Sequence, residues 1–267
     1  MRNRFVVLVA LLLASGTAAA GPVNCGAKPI RLAFYEYGYF YFEKDQRPAG
    51  IDHDIVNELQ KRSGCPFELR VMARARIWAD LASGDLDMSV SGIQNAERDK
   101  FAWFASYLSM KNYAVVSTQV AKKVPLADDF ITMPSLKFGV VRAFKHGTDQ
   151  DRWLDTLRLQ QRVEESADVG ILFRKIKDRR IDALFSQPPV YRKLIQDLDM
   201  HKDVQVMDWT PTEKGIPHGL ILAKSRFSEA DATQWRALID KMRSDGTLQL
   251  IYSRYLPNAE ATRLLDF

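Results

Sequence analysis

Arg98 is the residue whose type and position ask most directly for a chemical partner. Asn95, three places earlier, is a good cap for a helix running through Asp99, Phe101 and Trp103. Such a helix would hold Arg98 in its first turn, where the helix dipole disfavours positive charge. A bound anion, gripped by free backbone amides and the forked guanidinium together, would resolve that conflict. A surface ion pair with a neighbouring Asp or Glu would resolve it equally well. Arg74 and Arg76 are further cations that either reach the same anion or stay solvated. From Phe34 to Phe42 every position except Gly38 is aromatic or acidic. A strand end and its loop cannot bury all those rings, so one or two should line a pocket wall, with Tyr35 and Glu36 at the strand end itself. Gly147-Thr148, ahead of a helical stretch, offers backbone amides to an anion, although the pair alone is a weak signal.

Catalytic patterns are thin. The chain has no Gly-x-Ser-x-Gly elbow, no phosphate loop and no dinucleotide fingerprint. Acid–base work by Glu36 or a histidine stays open, but no spacing demands it. His53, His146, His201 and His218 are scattered, and none lies at ligand spacing from a cysteine or another histidine. Neither a metal nor a cofactor is expected.

The elements that must position these residues alternate between strand and helix. Ile30–Tyr35, Phe67–Val71 and Asp87–Ser91 read as strands, separated by a helix from about Asp52 and a short one around Trp78–Ala82. Tyr113–Thr118 is another β-branched run. After Pro125 and Pro134 the alternation restarts with Lys137–Val141, a helix over Asp149–Leu159, a strand at Asp182–Ser186 and further strands at Val204–Met207 and Gly219–Ala223. Val169, Leu172, Phe173 and Ile176 fall at helical spacing, as do Tyr191, Leu194, Ile195 and Leu198. Two helices, punctuated by Asp245-Gly246, close the chain. This alternation predicts an α/β protein with mainly parallel sheets flanked by helices, and the restart predicts two such units. In open sheets of that kind ligands gather beyond the carboxyl ends of the strands. Applied here, the rule nominates Tyr35 and Glu36, then Arg74, then Ser91, Gly92 and the segment to Arg98, and in the second unit Gly147, Thr148 and Gln187.

Residues 1–20 have the layout of a secretory signal peptide: Arg2 and Arg4, an apolar run from Phe5 to Ala14, and Ala18-Ala19-Ala20 before Gly21. The apolar run falls short of the ~20 residues that span a bilayer. Pro22-Val23-Asn24 before Cys25 lacks the Leu and small residues of a lipoprotein signal. Export makes a disulfide between Cys25 and Cys65 the default, against two separate thiols. Each cysteine precedes a β-like segment, and parallel neighbouring strands would bring the two within bridging reach. Removing the leader lowers the formal charge from +5 to +3, because Arg2 and Arg4 leave with it. The remaining cations are interleaved with acids and form no basic stripe, so no nucleic-acid partner is expected.

With these residues in place, the sequence resembles the family-3 extracellular solute-binding proteins, the amino-acid receptors of ABC importers. The stretch Leu81-Ala-Ser-Gly-Asp-Leu-Asp-Met-Ser-Val-Ser-Gly-Ile-Gln-Asn-Ala-Glu-Arg98, continuing to Phe104-Ala-Ser-Tyr107, is similar to that family's central pattern. Gly50-Ile-Asp-His-Asp54 and Ser244-Asp-Gly-Thr247, with Ile251 and Tyr255, match two more of its motifs. The resemblance covers residues 28–257. It implies a type II periplasmic binding fold of two lobes, residues 28–116 with 219–258 and residues 117–218, joined by two crossover strands that act as a hinge. It further implies a monomer in the periplasm that delivers a small carboxylate-bearing ligand to an inner-membrane ABC permease.

By motif position Arg98 is similar to the arginine that grips the ligand carboxylate, Ser91 would offer backbone contacts, and Gly147-Thr148 would contribute from the other lobe. This chain departs from the family pattern in several places. Ile93 stands where Thr or Ser is usual, and Asn95 replaces a Thr. Gln187 stands where an acid often receives the ligand's ammonium group. Arg74 stands where a ring or apolar residue is common, and together with Arg98 it tilts the pocket toward a more anionic ligand. Two alternatives accompany the receptor reading: a cyclohexadienyl dehydratase-like enzyme on the same scaffold, and a soluble sensor for a membrane partner.

Overall fold

The computed structural model describes residues 23–267, so the expected leader lies outside the described residues. In chain order the strands are β1 Ile30–Phe34, β2 Phe42–Lys44, β3 Arg47–Ala49, β4 Phe67–Val71, β5 Met88–Ile93, β6 Ala102–Met110, β7 Tyr113–Ser117, β8 Phe138–Val141, β9 Val163–Ser166, β10 Ala183–Ser186, β11 Val204–Met207 and β12 Ile216–Ala223. Two five-stranded sheets result, ordered β4-β1-β5-β12-β6 and β11-β7-β10-β8-β9, together with the small hairpin β2-β3.

The pairing directions explain how one chain builds two sheets that face a shared gap. In the first sheet β4, β1 and β5 are parallel, while β12 is antiparallel to both β5 and β6. In the second, β10, β8 and β9 are parallel and β7 is antiparallel to both β10 and β11. Each sheet therefore has four strands running one way and one running against them. The odd strand in each case, β12 or β7, is the one that arrives from the other sheet. The chain changes sheets between Met110 and Tyr113 and returns between Met207 and Ile216. A strand entering from the side where its new neighbours end must run opposite to them. Lys111 ties the two passages together, its Nζ lying 2.7 Å from Asp208 Oδ2 and 2.9 Å from the Thr210 carbonyl oxygen.

Helices cover the sheets where the apolar spacing placed them. Val169–Lys177 buries Val169, Leu172, Phe173 and Ile176, and Asp168 caps it by accepting a hydrogen bond from the Ile171 amide. Glu229–Ser244 opens with a reciprocal capping box between Ser228 and Asp231 and buries Ala232, Trp235, Ile239 and Met242. The second sheet is packed on both faces: Val115 and Leu184 join the core that continues from the first sheet, while Val116, Ala183 and Phe185 join a second cluster with Phe130, Phe138, Leu154 and Trp209.

One element differs from expectation. No α-helix runs from Asn95 through Trp103; a single 3-10 turn, Arg98–Lys100, is followed at once by β6. The Asn95 side chain does accept a hydrogen bond from the Arg98 amide at 2.9 Å, but the turn goes no further. Residues from Ala102 onward pair with β12 over its full length, and that long-range ladder outweighs the local cap.

Cys25 and Cys65 are joined in a disulfide with a Cα–Cα distance of 5.2 Å. Ile30 pairs with Phe67 in the β1–β4 register, so the approaches to these two strands lie side by side. Closing a loop over a separation of 40 residues removes denatured-state entropy worth about 4 kcal/mol in the chain-entropy relation. Replacing both cysteines by serine is expected to lower unfolding free energy by an amount of that order in denaturant titrations. An unchanged midpoint would show that the bridge contributes nothing to stability.

Candidate functional site

The carboxyl ends of the parallel strands converge on two arginines. Beyond β4, Arg74 is the first residue of the helix Arg74–Ser83 and is only 7 % exposed. Its guanidinium donates to the Tyr35 hydroxyl and lies 4.7 Å from the Tyr35 ring centroid and 4.9 Å from that of Phe144. The two rings thus hold the cation from either side of the gap by cation–π attraction. Arg98, 6 % exposed, stacks 3.7 Å over the Trp78 ring. Its Nη1 donates to the Ile93 carbonyl at 2.6 Å and its Nη2 to the Ala143 carbonyl at 3.4 Å. Since the α-helix expected at Asn95 is absent, the helix dipole has no part in fixing this residue; the Trp78 face and two carbonyls do.

Neither guanidinium forms an ion pair among the described residues. Arg76 behaves otherwise: it is a surface residue paired with Asp80 at 2.6 Å. Of the two acids that flank Arg98, Asp99 accepts from Gln94 and Glu97 is exposed. Burial, followed by repulsion from Arg74, pulls the Arg98 guanidinium down to about 10, so it stays charged at neutral pH. Arg74 Nε is buried without a hydrogen-bond partner. A buried cation is costly unless an acid or a full set of acceptors compensates it. Arg162 shows the latter case, with its donors spread over the carbonyls of Phe130, Ile131, Met133 and Leu136.

Gln187 lies opposite, at the cap position of the helix Pro188–Asp197, and is fully buried. Its hydrogen bonds have a fixed direction. His218 Nδ1 lies 2.7 Å from the Ile216 carbonyl oxygen, which can only accept, so Nδ1 carries the proton and Nε2 is the acceptor. The Gln187 amide nitrogen donates to that Nε2 at 3.1 Å, and Gln187 Oε1 accepts from the Tyr37 hydroxyl at 2.8 Å. Burial and the two nearby arginines push His218 down to about 3, which keeps it neutral. The chain Tyr37–Gln187–His218 thus links a loop after β1, a helix of the second sheet and the returning strand β12. The two sides also meet directly: the Tyr39 amide donates to the Pro189 carbonyl at 2.9 Å. Gly38 has φ +55° there, and a Cβ would lie 2.5 Å from Val190 Cα, so only glycine permits this approach.

Other expected residues take different places. Glu36 is exposed on the rim of a recess of about 350 Å³ shared with Tyr35, Tyr37, Arg74 and Phe144. Gly147 caps the helix Thr148–Leu159, and Thr148 is exposed on a separate recess lined by Ile93, Asn95 and His146. Among the described residues neither hydrogen-bonds to Arg74 or Arg98. At Gly92 a side chain would collide with Ile221, so glycine there serves sheet packing. Ser91, at φ +49°, turns its hydroxyl toward Asp52 at 2.8 Å, and its amide donates to the Tyr107 hydroxyl at 2.7 Å. Tyr37, Phe144, Trp78 and His218 were not among the expected binding residues. Tyr37 alone had a signal, its place in the aromatic run; the others are brought in from distant elements.

The fold has counterparts among known proteins. Residues 31–258 match the model for bacterial extracellular solute-binding proteins, family 3. A probable histidine-binding protein of Neisseria gonorrhoeae is 22 % identical over 247 residues, covering 90 % of this chain and 87 % of the relative. Among solved structures, an ancestral arginine-binding protein bound to arginine superposes with a TM-score of 0.73 at 20 % identity, covering 86 % of this chain and 98 % of the other. An ancestral amino acid-binding protein, described as a precursor of cyclohexadienyl dehydratase, gives 0.70 at 21 % identity, covering 86 % and 96 %. These superpositions bear out a type II periplasmic binding fold, with two lobes built of mixed α/β sheets.

Asp52 is the buried acid whose titration should be visible. It accepts from Tyr107 at 2.6 Å and from Ser91, yet burial outweighs those bonds and the pull of Arg74 and pushes its carboxyl up to about 7. The unfolded carboxyl titrates near 4. Between those values the folded state holds the extra proton, so stability falls as pH rises through the window. The denaturant midpoint is expected to drop from about pH 4 to about pH 7, and Asp52→Asn should remove that component of the slope. Parallel slopes in the two proteins would show that Asp52 titrates outside this range.

Proposed function

The chain belongs to the bacterial extracellular solute-binding proteins, family 3, and from that membership we propose that it is a periplasmic receptor that captures a small carboxylate-bearing solute, an amino acid or related anion, for an ABC-type importer. The observation that carries this reading is the pair of buried guanidiniums, Arg74 and Arg98, which face the gap between the sheets without an acid partner. A ligand carboxylate would supply the missing charge and accept the donors that protein carbonyls leave over. The relatives named for histidine and arginine binding support a ligand of amino-acid size.

In this reading the lobes, residues 28–116 with 219–258 and residues 117–218, close about the two passages pinned by Lys111. The contacts seen between the sides would belong to the closed state, and ligand would shift the population toward it. After removal of residues 1–20 the protein would act as a monomer that presents the closed form to an inner-membrane permease. No helix among the described residues is long and apolar enough to cross a membrane. Binding is favoured over turnover because the acids around the arginines are turned outward or engaged: Glu36 and Glu97 are exposed, Asp52 is held by Ser91 and Tyr107, and Asp151 by His146.

The test is a thermal-shift screen of the protein from Gly21 onward against amino acids, dicarboxylates and aromatic keto acids. A ligand that binds only the folded form must raise the melting temperature. Arg98→Ala should weaken the hit roughly tenfold or more, the worth of a charge-assisted hydrogen bond, and Arg98→Lys, which keeps the charge without the fork, should recover part of it. A hit indifferent to both variants would overturn the assigned site. Consumption of prephenate or arogenate would overturn the receptor reading in favour of an enzyme.

A further inference from the structure

We infer that the ligand of this receptor is a small dianion without an ammonium group, of the dicarboxylate class rather than the amino-acid class. The inference rests on the receptor reading and narrows it. Three observations on the same site point to it.

The first is the excess of donors. Arg74 and Arg98 are both more than nine-tenths buried, and together they spend only three recorded hydrogen bonds on protein: one to the Tyr35 hydroxyl and two to the carbonyls of Ile93 and Ala143. Arg74 Nε has no partner. Two forked cations match two carboxylates, and a single carboxylate would leave one of them uncompensated.

The second is the shortage of acceptors. An amino-acid ligand needs anionic or carbonyl oxygens around its ammonium. Gln187 Oε1 is taken by the Tyr37 hydroxyl, and His218 Nε2 is taken by the Gln187 amide. Asp151 is turned to His146, Asp52 to Ser91 and Tyr107, and Asp168, on the recess beside Arg74, to the Ile171 amide, while Glu36, the other acid of that recess, is exposed on its rim. Because His218 donates to Ile216, Gln187 cannot rotate its amide without setting two acceptors, Gln187 Oε1 and His218 Nε2, against each other. The chain thus holds Gln187 with its nitrogen toward His218 and its oxygen toward Tyr37, so it offers an incoming ammonium only the second lone pair of a neutral amide oxygen and no carboxylate charge.

The third is the wall. The Tyr35 and Phe144 rings already clasp the Arg74 guanidinium, so those faces are occupied by the protein's own cation. The aromatic residues position Arg74 and do not require a ring on the ligand.

The experiment compares matched pairs by calorimetry on the protein from Gly21 onward: succinate against aspartate, and glutarate against glutamate, with arginine and histidine as cationic probes. The dicarboxylate of each pair is expected to bind at least ~10-fold more tightly than its amino counterpart, with no measurable heat from the cationic probes. Gln187→Glu should narrow or reverse the preference by restoring an acid opposite the arginines. If aspartate or glutamate binds as tightly as its partner, or a cationic amino acid binds best, this inference falls while the receptor reading stands. If none of the six binds, the inference falls, and the wider thermal-shift panel decides the receptor reading.

Discussion

Two short passages of chain, Met110 to Tyr113 and Met207 to Ile216, connect the two sheets. Because each passage leaves a sheet at the gap and enters the next one from the gap, β7 and β12 must run against their neighbours. The remaining four strands of each sheet then all end at the same place. Loops that are unrelated in sequence are thereby aimed at one volume: the turn after β1 with Tyr35 and Tyr37, the helix start after β4 with Arg74, the turn after β5 with Arg98, the loop after β8 with Phe144 and the helix start after β10 with Gln187. Each contributes one or two side chains, and no single element carries the site.

Holding positive charge in that volume takes different devices for different residues. Arg162, in the second sheet's own core region, is satisfied by backbone carbonyls and serves architecture. Arg98 has two carbonyls and an indole face, and Arg74 has a hydroxyl between two rings. The declining number of acceptors from Arg162 to Arg74 separates an arginine satisfied by the fold from one with donors to spare more clearly than burial does, since all three are buried. A polarizable ring face stabilises a cation without consuming its directional donors, which leaves the N–H groups for a partner from outside.

Most of the fold is legible in the sequence because strand and helix periods are local. Phe67–Val71 and Val204–Met207 are strands to the residue, and the stripe Val169, Leu172, Phe173, Ile176 is buried as its spacing implies. The departures have long-range causes. β6 pairs with a strand over one hundred residues later, and no window around Phe101 or Trp103 contains that information. The hairpin β2-β3 turns through Asp45 and Gln46, both at positive φ, without the glycine that usually announces such a turn. In the site, Arg74, Arg98 and Gln187 stand out as charges or their absence at strand ends. Tyr37, Phe144 and His218 acquire meaning only from one another, across distances in sequence that no motif spans.

The linked groups Tyr37, Gln187 and His218 share one further property. Burial raises the Tyr37 hydroxyl well above its ordinary range, His218 is held near 3, and an amide does not titrate at all. No member changes protonation anywhere between mild acid and mild alkali, so the hydrogen-bond polarity of that wall is constant across the range. Asp52, by contrast, changes charge near neutrality, behind Ser91 but within electrostatic reach of Arg74 and Tyr37. The hydrogen-bond pattern of the wall is therefore fixed against pH, while the field around Arg74 varies with the Asp52 proton. As its surroundings acidify, such a protein gains stability from protonation of Asp52 while the donors and acceptors of that wall keep their places.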